Sequence, residues 1–404
     1  MGFVATIIAL FVLGDVAWWW RADRRVRQLR GAPAWRTAIA LFALLQISGL
    51  GLVIASRWAG AEWEELLVRP WLSAVFVWHF LALAPWLLVW AITGIARVVT
   101  VAARKFGKVP CRSNAPAPNG LSRREFLAAA GVLTPAVFSI VGTGVALPQL
   151  EQFRIRRLDL RIPQLPESLN GMTIAHLSDL HVGRFTRGAI LERIVTATNA
   201  LQADLVLLTG DLINFGLRDL PAAIEVVRAL RGKHGVFTCV GNHDLIEDRA
   251  AFFREAAVAG LPLLVNEAAE IDIGAQRVQL LGLRWGSGRR GSRTREHGDV
   301  AIEASMRELL SARKADAFPI LLAHHPHAFD FAREIPLTLA GHTHGGQIMF
   351  SKNVGGGPWF FRYWSGAYFR ENRALVVSNG VGNWFPLRIG APAEILHLTL
   401  RRSA

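Results

Sequence analysis

The sequence predicts an α/β domain preceded by an α-helical membrane region of about four spans, and three observations lead there. Hydrophobic residues make up 52% of the 404, high for a wholly soluble chain, and the excess is confined to roughly the first 150 residues. From about Arg154 onward, short apolar runs alternate with amphipathic stretches. Those apolar runs end, one after another, in Asp, His, Asn and Gly.

Four apolar stretches, Phe3–Trp20, Trp35–Ser56, Trp71–Val101 and Phe126–Leu147, can each cross a hydrocarbon core of about 30 Å at about 1.5 Å per residue, the first only just. They contain no lysine, and Asp15 is their only carboxylate. Charge bias between the spans sets an orientation. Arg21, Arg24, Arg25, Arg27, Arg30 and Arg36 fill the first connection, and Glu62, Glu64 and Glu65 outnumber the two arginines of the second. The third is basic again, with Arg104, Lys105, Lys108, Arg112, Arg123 and Arg124. By the positive-inside rule the first and third are cytoplasmic, which puts the N-terminus and everything after Leu147 on the outer side of a plasma (inner) membrane.

Ser122-Arg-Arg-Glu-Phe-Leu127, just ahead of the last span, looks like an internal twin-arginine export signal and agrees with that orientation. The same residues also have the Ser122/Glu125 spacing of a helix capping box. No convincing cleavage site follows Leu147, so the expected organisation is a retained membrane anchor over 1–150 and a catalytic domain over 151–404. Residues 1–150 hold 15 basic and 6 acidic side chains, +9 of the total +14, so most of the basicity is topology and no nucleic-acid partner is expected. Cys111 and Cys239 fall on opposite sides of the membrane and cannot pair.

Within the second region, strands are expected at Met172–Leu177, Ala203–Leu208, Val236–Val240, Leu261–Val265, Val278–Leu283, Phe318–Ala323, Pro336–Ala340, Ala374–Val377 and Glu394–Leu400. Helices are expected at Arg187–Leu201, Leu220–Arg231, Arg249–Ala259 and Ala301–Arg313. Periodicity allows either a doubly wound sheet or a two-sheet sandwich with outer helices.

Five of these strands run into residues of metal-ligand type. They are Asp179-Leu-His181, Gly210-Asp211, Gly241-Asn-His-Asp244, His324 and Gly341-His-Thr-His344. Extended backbone has a side-chain period of two, so Asp179 and His181 share a face, as do His342 and His344. Carboxyl ends of α/β strands are where ligands gather. Singly each fragment is weak, since Gly-Asp is often a turn, Asn-His-Asp can cap a helix, and paired histidines can sit on a solvated loop.

In this order and spacing the set resembles the calcineurin-like metallophosphoesterase superfamily over about Met172–Leu400, and the anchored N-terminus, Ala340–Ile348 and Ser378-Asn-Gly-Val-Gly382 resemble its membrane-anchored bacterial branch. The resemblance implies two packed β-sheets flanked by helices and two divalent metal ions. It implies that Asp179, His181, Asp211 and His344 hold one ion, and that Asp211, Asn242, His324 and His342 hold the other, with Asp211 as the bridge. His243 matches the general acid on the leaving oxygen, oriented by Asp244. His324 is preferred to His325 because it directly follows the strand.

A phosphoester is a poor electrophile wrapped in negative charge. Two divalent ions supply both neutralisation and a water whose pKa falls toward about 7. Imidazole and carboxylate suit manganese, iron or zinc, with manganese favoured, and no ligand cysteine points to a soft site. A phosphomono- or phosphodiester is the expected substrate.

His176 is expected in the core, His234 in a turn and His397 at a solvated edge; His325 and His327 can line the site. Arg284–Arg295 reads as a basic loop, solvated or gripping phosphate. Gly355-Gly-Gly-Pro-Trp-Phe-Phe-Arg-Tyr-Trp364, with Tyr368 and Phe369, reads as core or as an aromatic surface loop; the latter would suit a lipid-linked or cell-envelope phosphoester. Competing readings are a cytoplasm-facing lipid-precursor pyrophosphatase of the same fold and a non-catalytic metal-binding sensor.

Overall fold

The structure is a computed structural model describing residues 2–27, 29, 31–59, 68–106, 123–286, 295–351 and 354–403. Arg30, Glu62, Glu64, Glu65, Lys108, Cys111, Arg112 and Ser122, on which the charge-bias and export-signal readings partly rest, lie outside the described residues, as does 287–294 of the basic loop. Two compact units divide the chain, Met1–Leu147 and Pro148–Ala404.

The first unit is helical. It holds α1 (Gly2–Val26), α2 (Ala32–Ala59), α3 (Arg69–Phe76), α4 (Ala84–Phe106) and α5 (Arg123–Leu150), with a π-helical turn over Val77–Leu83 joining α3 to α4. Four stretches, Ala5–Val26, Ala32–Ser56, Arg69–Ala102 and Leu127–Leu150, are long and apolar enough to cross a membrane. Aliphatic side chains such as Leu13, Leu41, Leu88, Ile95 and Val98 point outward, as a helix bundle solvated by lipid requires.

Inside the bundle Trp18 and Trp78 pack edge to face at 4.8 Å. Asp15 is buried there, yet its carboxylate is satisfied. It accepts from Trp78 Nε1 at 2.6 Å and lies 3.1 Å from His79 Nε2. Both residues belong to the π turn, a feature with no sequence signal of its own.

Among the described residues, fourteen strands build the second unit. In chain order they are β1 (Phe153–Ile162), β2 (Thr173–Leu177), β3 (Leu205–Thr209), β4 (Val236–Cys239), β5 (Leu263–Leu264), β6 (Glu267–Ile273) and β7 (Gln276–Gly282). They continue as β8 (Ala317–Leu322), β9 (Leu337–Ala340), β10 (Met349–Ser351), β11 (Val354–Gly355), β12 (Gly366–Arg370), β13 (Arg373–Val377) and β14 (Ala393–Arg402). One six-stranded sheet has the order β1-β14-β2-β3-β4-β5, the other β12-β13-β9-β8-β7-β6, and β10-β11 is a small ribbon. Within the sheets β2, β3 and β4 run parallel, as do β7, β8, β9 and β13.

Alternation along β3 shows how the two sheets form a sandwich. Leu205 and Leu207 enter a core shared with Leu280, Ile320, Leu339 and Val376 of the other sheet. Val206 and Leu208 face the opposite way, onto Ile194 of helix α6 (Ala189–Asn199), Ala223 and Val227 of α7 (Leu220–Ala229) and Phe252 of α8 (Arg249–Val258). On the far side Leu281 and Leu321 pack on Met306 and Leu309 of α9 (Arg295–Ser311). Each central strand is therefore buried on both faces and reads as a continuous apolar run, which is why periodicity alone left two architectures open.

Three edge strands of the two large sheets carry weak sequence signals. In β1, Arg154, Arg156, Arg157 and Asp159 dilute the apolar signal; β6 reads Glu-Ala-Ala-Glu-Ile-Asp-Ile; β12 carries Tyr368 and Phe369 of the stretch read as core or loop. His397 requires correction. It does not sit at an edge, because β14 lies between β1 and β2, where His397 is opposite Arg157 and Ala175 and half-buried.

Candidate metal centre

The ligand-type residues sit two to four positions beyond the carboxyl ends of β2, β3, β4, β8 and β9, and the sandwich brings those ends together. Their loops must turn sharply, and the backbone shows it. Asp179 (φ 54°), His181 (φ 44°), Asp211 (φ 54°), His342 (φ 71°) and His344 (φ 50°) are all left-handed. Such non-glycine conformations persist where the surroundings over-determine them, and Asp and His tolerate them best. Here the loops are laced to each other: Asp179 N donates to Gly210 O at 3.0 Å, His181 N to Asp211 O at 3.0 Å, and Gly382 N to Asp179 O at 2.9 Å.

Three overlapping groups of side chains result among the described residues, and the third, His181 with Asp211 and His243, links the two described next. Asp179, His181 and His344 converge on one point and Asp211, His324 and His342 on another, each with its ligand atoms within 4.8 Å of one another. His344 Nε2 is 3.1 Å from Asp179 Oδ1 and 2.9 Å from His181 Nε2. In the other group His342 Nδ1 is 3.2 Å from His324 Nε2, and Asn242 Oδ1 lies 2.9 and 3.1 Å from the two rings. Asp211 stands between the groups, its Oδ2 being 3.5 Å from His181 Nε2 and 3.1 Å from His324 Nε2. His324, not His325, has that contact with Asp211; His325 packs against the His342 ring at 4.9 Å.

Burial holds His181 and His344 below the usual imidazole range and pushes His342 down to about 3, so these rings are neutral and offer lone pairs. Burial acts on His324 in the same direction, but the Asp211 carboxylate outweighs it and raises the ring to about 9. Asp211 and Asp179 stay ionised, held below the ordinary carboxylate range by facing imidazoles against the effect of burial. Ring nitrogens closing to 2.9 and 3.2 Å with no carbon between them, beside two carboxylates and an amide oxygen, form a donor set that fits divalent cations. His324 Nδ1 is 2.7 Å from the Thr209 carbonyl, which directs Nε2 into the group as a ligating ring requires.

Asp244 also needs correction. Its carboxylate does not orient His243. It accepts from the amides of Gly241 (2.8 Å), Asp211 (3.0 Å), Leu212 (2.7 Å) and Ile213 (3.2 Å), clamping the loop that carries Asp211 to the loop that carries Asn242. Burial and the Asp211 charge push Asp244 up to about 7, against the pull of those amides. His243 is instead oriented by backbone: Nδ1 is 2.5 Å from the Asn214 carbonyl, and the ring packs edge-on against His181 at 4.6 Å. Burial lowers the His243 pKa, with Asp211 opposing.

Sequence reasoning missed Asn214 and Arg388. Arg388 is fully buried, donates to the carbonyls of Asn379, Gly382 and Ala391 and to Asn383, and lies 3.4 Å from His344 Nδ1. Burial takes its pKa down to about 10, so it keeps its charge.

A cavity of about 470 Å³ opens beside His324 and His342, walled by Leu283, Trp285, Ile302, Phe360 and Phe361, with His325 and His327 also on its lining. Arg284 reaches it too, although its guanidinium is engaged by Ser305 and Glu308. The aromatic stretch divides: Tyr363 and Trp364 are buried, whereas Trp359 and Phe360 are 87% and 81% exposed.

Residues 172–346 match the model of the calcineurin-like phosphoesterase family. The chain is similar to a transmembrane protein with metallophosphoesterase domain from Danio rerio, 27% identical over 99% of this chain and 89% of that one. To an uncharacterized metallophosphoesterase of Campylobacter jejuni it is 31% identical, over 61% of this chain and 63% of that one. To phosphodiesterase YaeI of Escherichia coli it is 28% identical, over 56% of this chain and 81% of that one.

Proposed function

This membrane protein contains a calcineurin-like metallophosphoesterase domain and is a hydrolase of phosphoric esters, and from that premise we propose that it is a two-metal phosphoesterase whose substrate carries an apolar group. The observation that carries the two-metal reading is the sharing of Asp211 Oδ2 between His181 and His324. Asp179, His181, Asp211 and His344 would hold one ion, and Asp211, Asn242, His324 and His342 the other. Divalent ions held there, manganese in this proposal, would supply charge neutralisation at the phosphoester and lower the pKa of a water.

The chain's own groups do the rest. Asp179 is aimed by the His342 amide, 3.1 Å from Oδ2, and Asp211 by the His243 amide, 2.8 Å from Oδ1. With Nδ1 committed to the Asn214 carbonyl, His243 has Nε2 left to deliver a proton to the leaving oxygen. His243→Ala is expected to retain metal and to lose rate mainly for alkyl esters, by about 10²–10⁴-fold, while nitrophenyl esters, whose leaving group needs no proton, lose much less. Metal-stripped protein reconstituted with manganese, iron or zinc and assayed on both ester types tests the reading. Equal losses for the two esters would remove His243 from the acid role.

Support for an apolar substrate group comes from the cavity, whose aromatic wall stands next to His324 and His342. In a protein anchored by its first unit, an acylated or otherwise lipid-like phosphoester of the envelope fits such a wall. Changing Trp359, Phe360 and Phe361 together to Ser is expected to leave Tm nearly unchanged, because two of the three are exposed. Capture of a long-chain ester should fall by at least about tenfold relative to a small soluble ester, since burying apolar area is worth about 25 cal/mol per Å². An unchanged ratio of kcat/KM would reduce the helical unit to an anchor. The charge bias of the connections supports a domain facing away from the cytoplasm, which protease access in spheroplasts reads directly.

A further inference from the structure

At the arginine-rich end of the helical unit, three guanidinium side chains face one pocket without compensation. Arg21 and Arg25 of α1 and Arg97 of α4 line a cavity of about 210 Å³ with Trp86, Trp90 and the α5 backbone around Gly131. Two arginines near this end are neutralised. Arg27 and Arg36 both pair with Asp23, at 2.6 and 2.7 Å. Arg21, Arg25 and Arg97 meet no carboxylate among the described residues, and the buried Nε of Arg21 has no hydrogen-bond partner there.

The pocket is held open by rigid parts. Trp86 and Trp90 stack at 5.9 Å, Trp86 Nε1 donates to the Gly131 carbonyl at 3.3 Å, and the Arg21 guanidinium lies 4.9 Å over the Trp90 ring. A Cβ added at Gly131 would meet nothing within 4 Å, so there is open space at this point of the α5 wall. Val89 and Leu127, which also line the pocket, are 59% and 68% exposed on the lipid-facing surface. A cationic cup therefore opens onto an apolar strip.

We propose that this pocket binds an anionic membrane phospholipid, its phosphate headgroup among Arg21, Arg25 and Arg97 and an acyl chain along Val89 and Leu127. Three like charges gathered without a counter-ion call for an anion, and guanidinium is the group best matched to phosphate oxygens. The bilayer supplies the anion at high local concentration with the chain already in place.

The full chain, purified in a nonionic detergent, is titrated in parallel with dihexanoyl phosphatidylglycerol, dihexanoyl phosphatidylcholine and inorganic phosphate, and bound ligand is counted by native mass spectrometry. One phosphatidylglycerol should bind saturably, and the R21Q/R25Q/R97Q variant should weaken it about 100-fold, at about fivefold per arginine. Hydrolysis of a soluble ester should be unchanged in that variant, which reports that it is folded. Should the triple variant fail to fold, R97Q alone, at an exposed position, is expected to lose about fivefold. Binding of phosphatidylcholine or free phosphate as tight as that of phosphatidylglycerol overturns the proposal, and so does undiminished phosphatidylglycerol binding by the variants.

Discussion

Asp211→Ala is expected to abolish metal-dependent hydrolysis and to empty most of the metal from the protein. Losing a group that merely orients a metal ligand costs about 10–100-fold. A carboxylate shared by both groups should cost more than about 100-fold, beyond any single histidine that serves one group. Elemental analysis beside turnover is the measurement, and a variant that keeps two ions and full rate would dismantle the site as assigned. Metal-stripped protein offers an independent check through pH. Asp211 raises His324 from 6.5 to about 9, so in the folded state the pair contributes stability that is fully present below pH 6.5 and lost as pH rises through 9. The unfolding penalty of Asp211→Ala in stripped protein should therefore be larger at pH 6 than at pH 10.

Much of this site could be read from sequence because its ligands are local to strand ends. Asp179 and His181, or His342 and His344, announce themselves by a spacing of two at the end of an apolar run, and the chain order of the five fragments supplies the rest. What could not be read falls into kinds with physical causes. Asn214 acts through its carbonyl, which every residue has, so its side-chain identity says nothing about the bond to His243. Arg388 reaches His344 from 44 positions away and is held mostly by backbone carbonyls, so no local pattern marks it.

The resemblance implies that Asp244 orients His243, and the geometry gives Asp244 a different role. In the tight turn after β4 the two side chains diverge, and a buried carboxylate gains most by accepting the four amides that the turn leaves without partners. Of the fold, strands buried on both faces were legible and the mixed-polarity edges β1 and β6 were not, since an edge strand carries charge by necessity. The π turn at Val77–Leu83 left no trace, because Val-Trp-His-Phe-Leu-Ala-Leu is as compatible with an α-helix.

That clamp leads to the second large effect, which comes from a residue that ligates nothing. Gly241→Ala is expected to inactivate the enzyme nearly as completely as Asp211→Ala. Gly241 is not left-handed, so backbone strain is not the reason; the space is. A methyl group there would fall inside contact distance of both Asp211 Oδ1 and the Asp211 amide nitrogen. A flexible side chain could swing aside, but the Asp211 amide is tied to Asp244, as is the Gly241 amide, so neither loop can retreat without breaking the clamp. Two outcomes remain: the carboxylate is pushed off its position between His181 and His324, or the β3 and β4 loops separate. Overpacking of this kind typically costs about 1–3 kcal/mol. Tm should fall with metal content and rate together, unlike His243→Ala, where only rate falls. A Gly241→Ala protein that binds two metals with unchanged affinity would show that the Asp211 carboxylate can move and still serve both groups, and would remove the geometric basis for calling it the bridge.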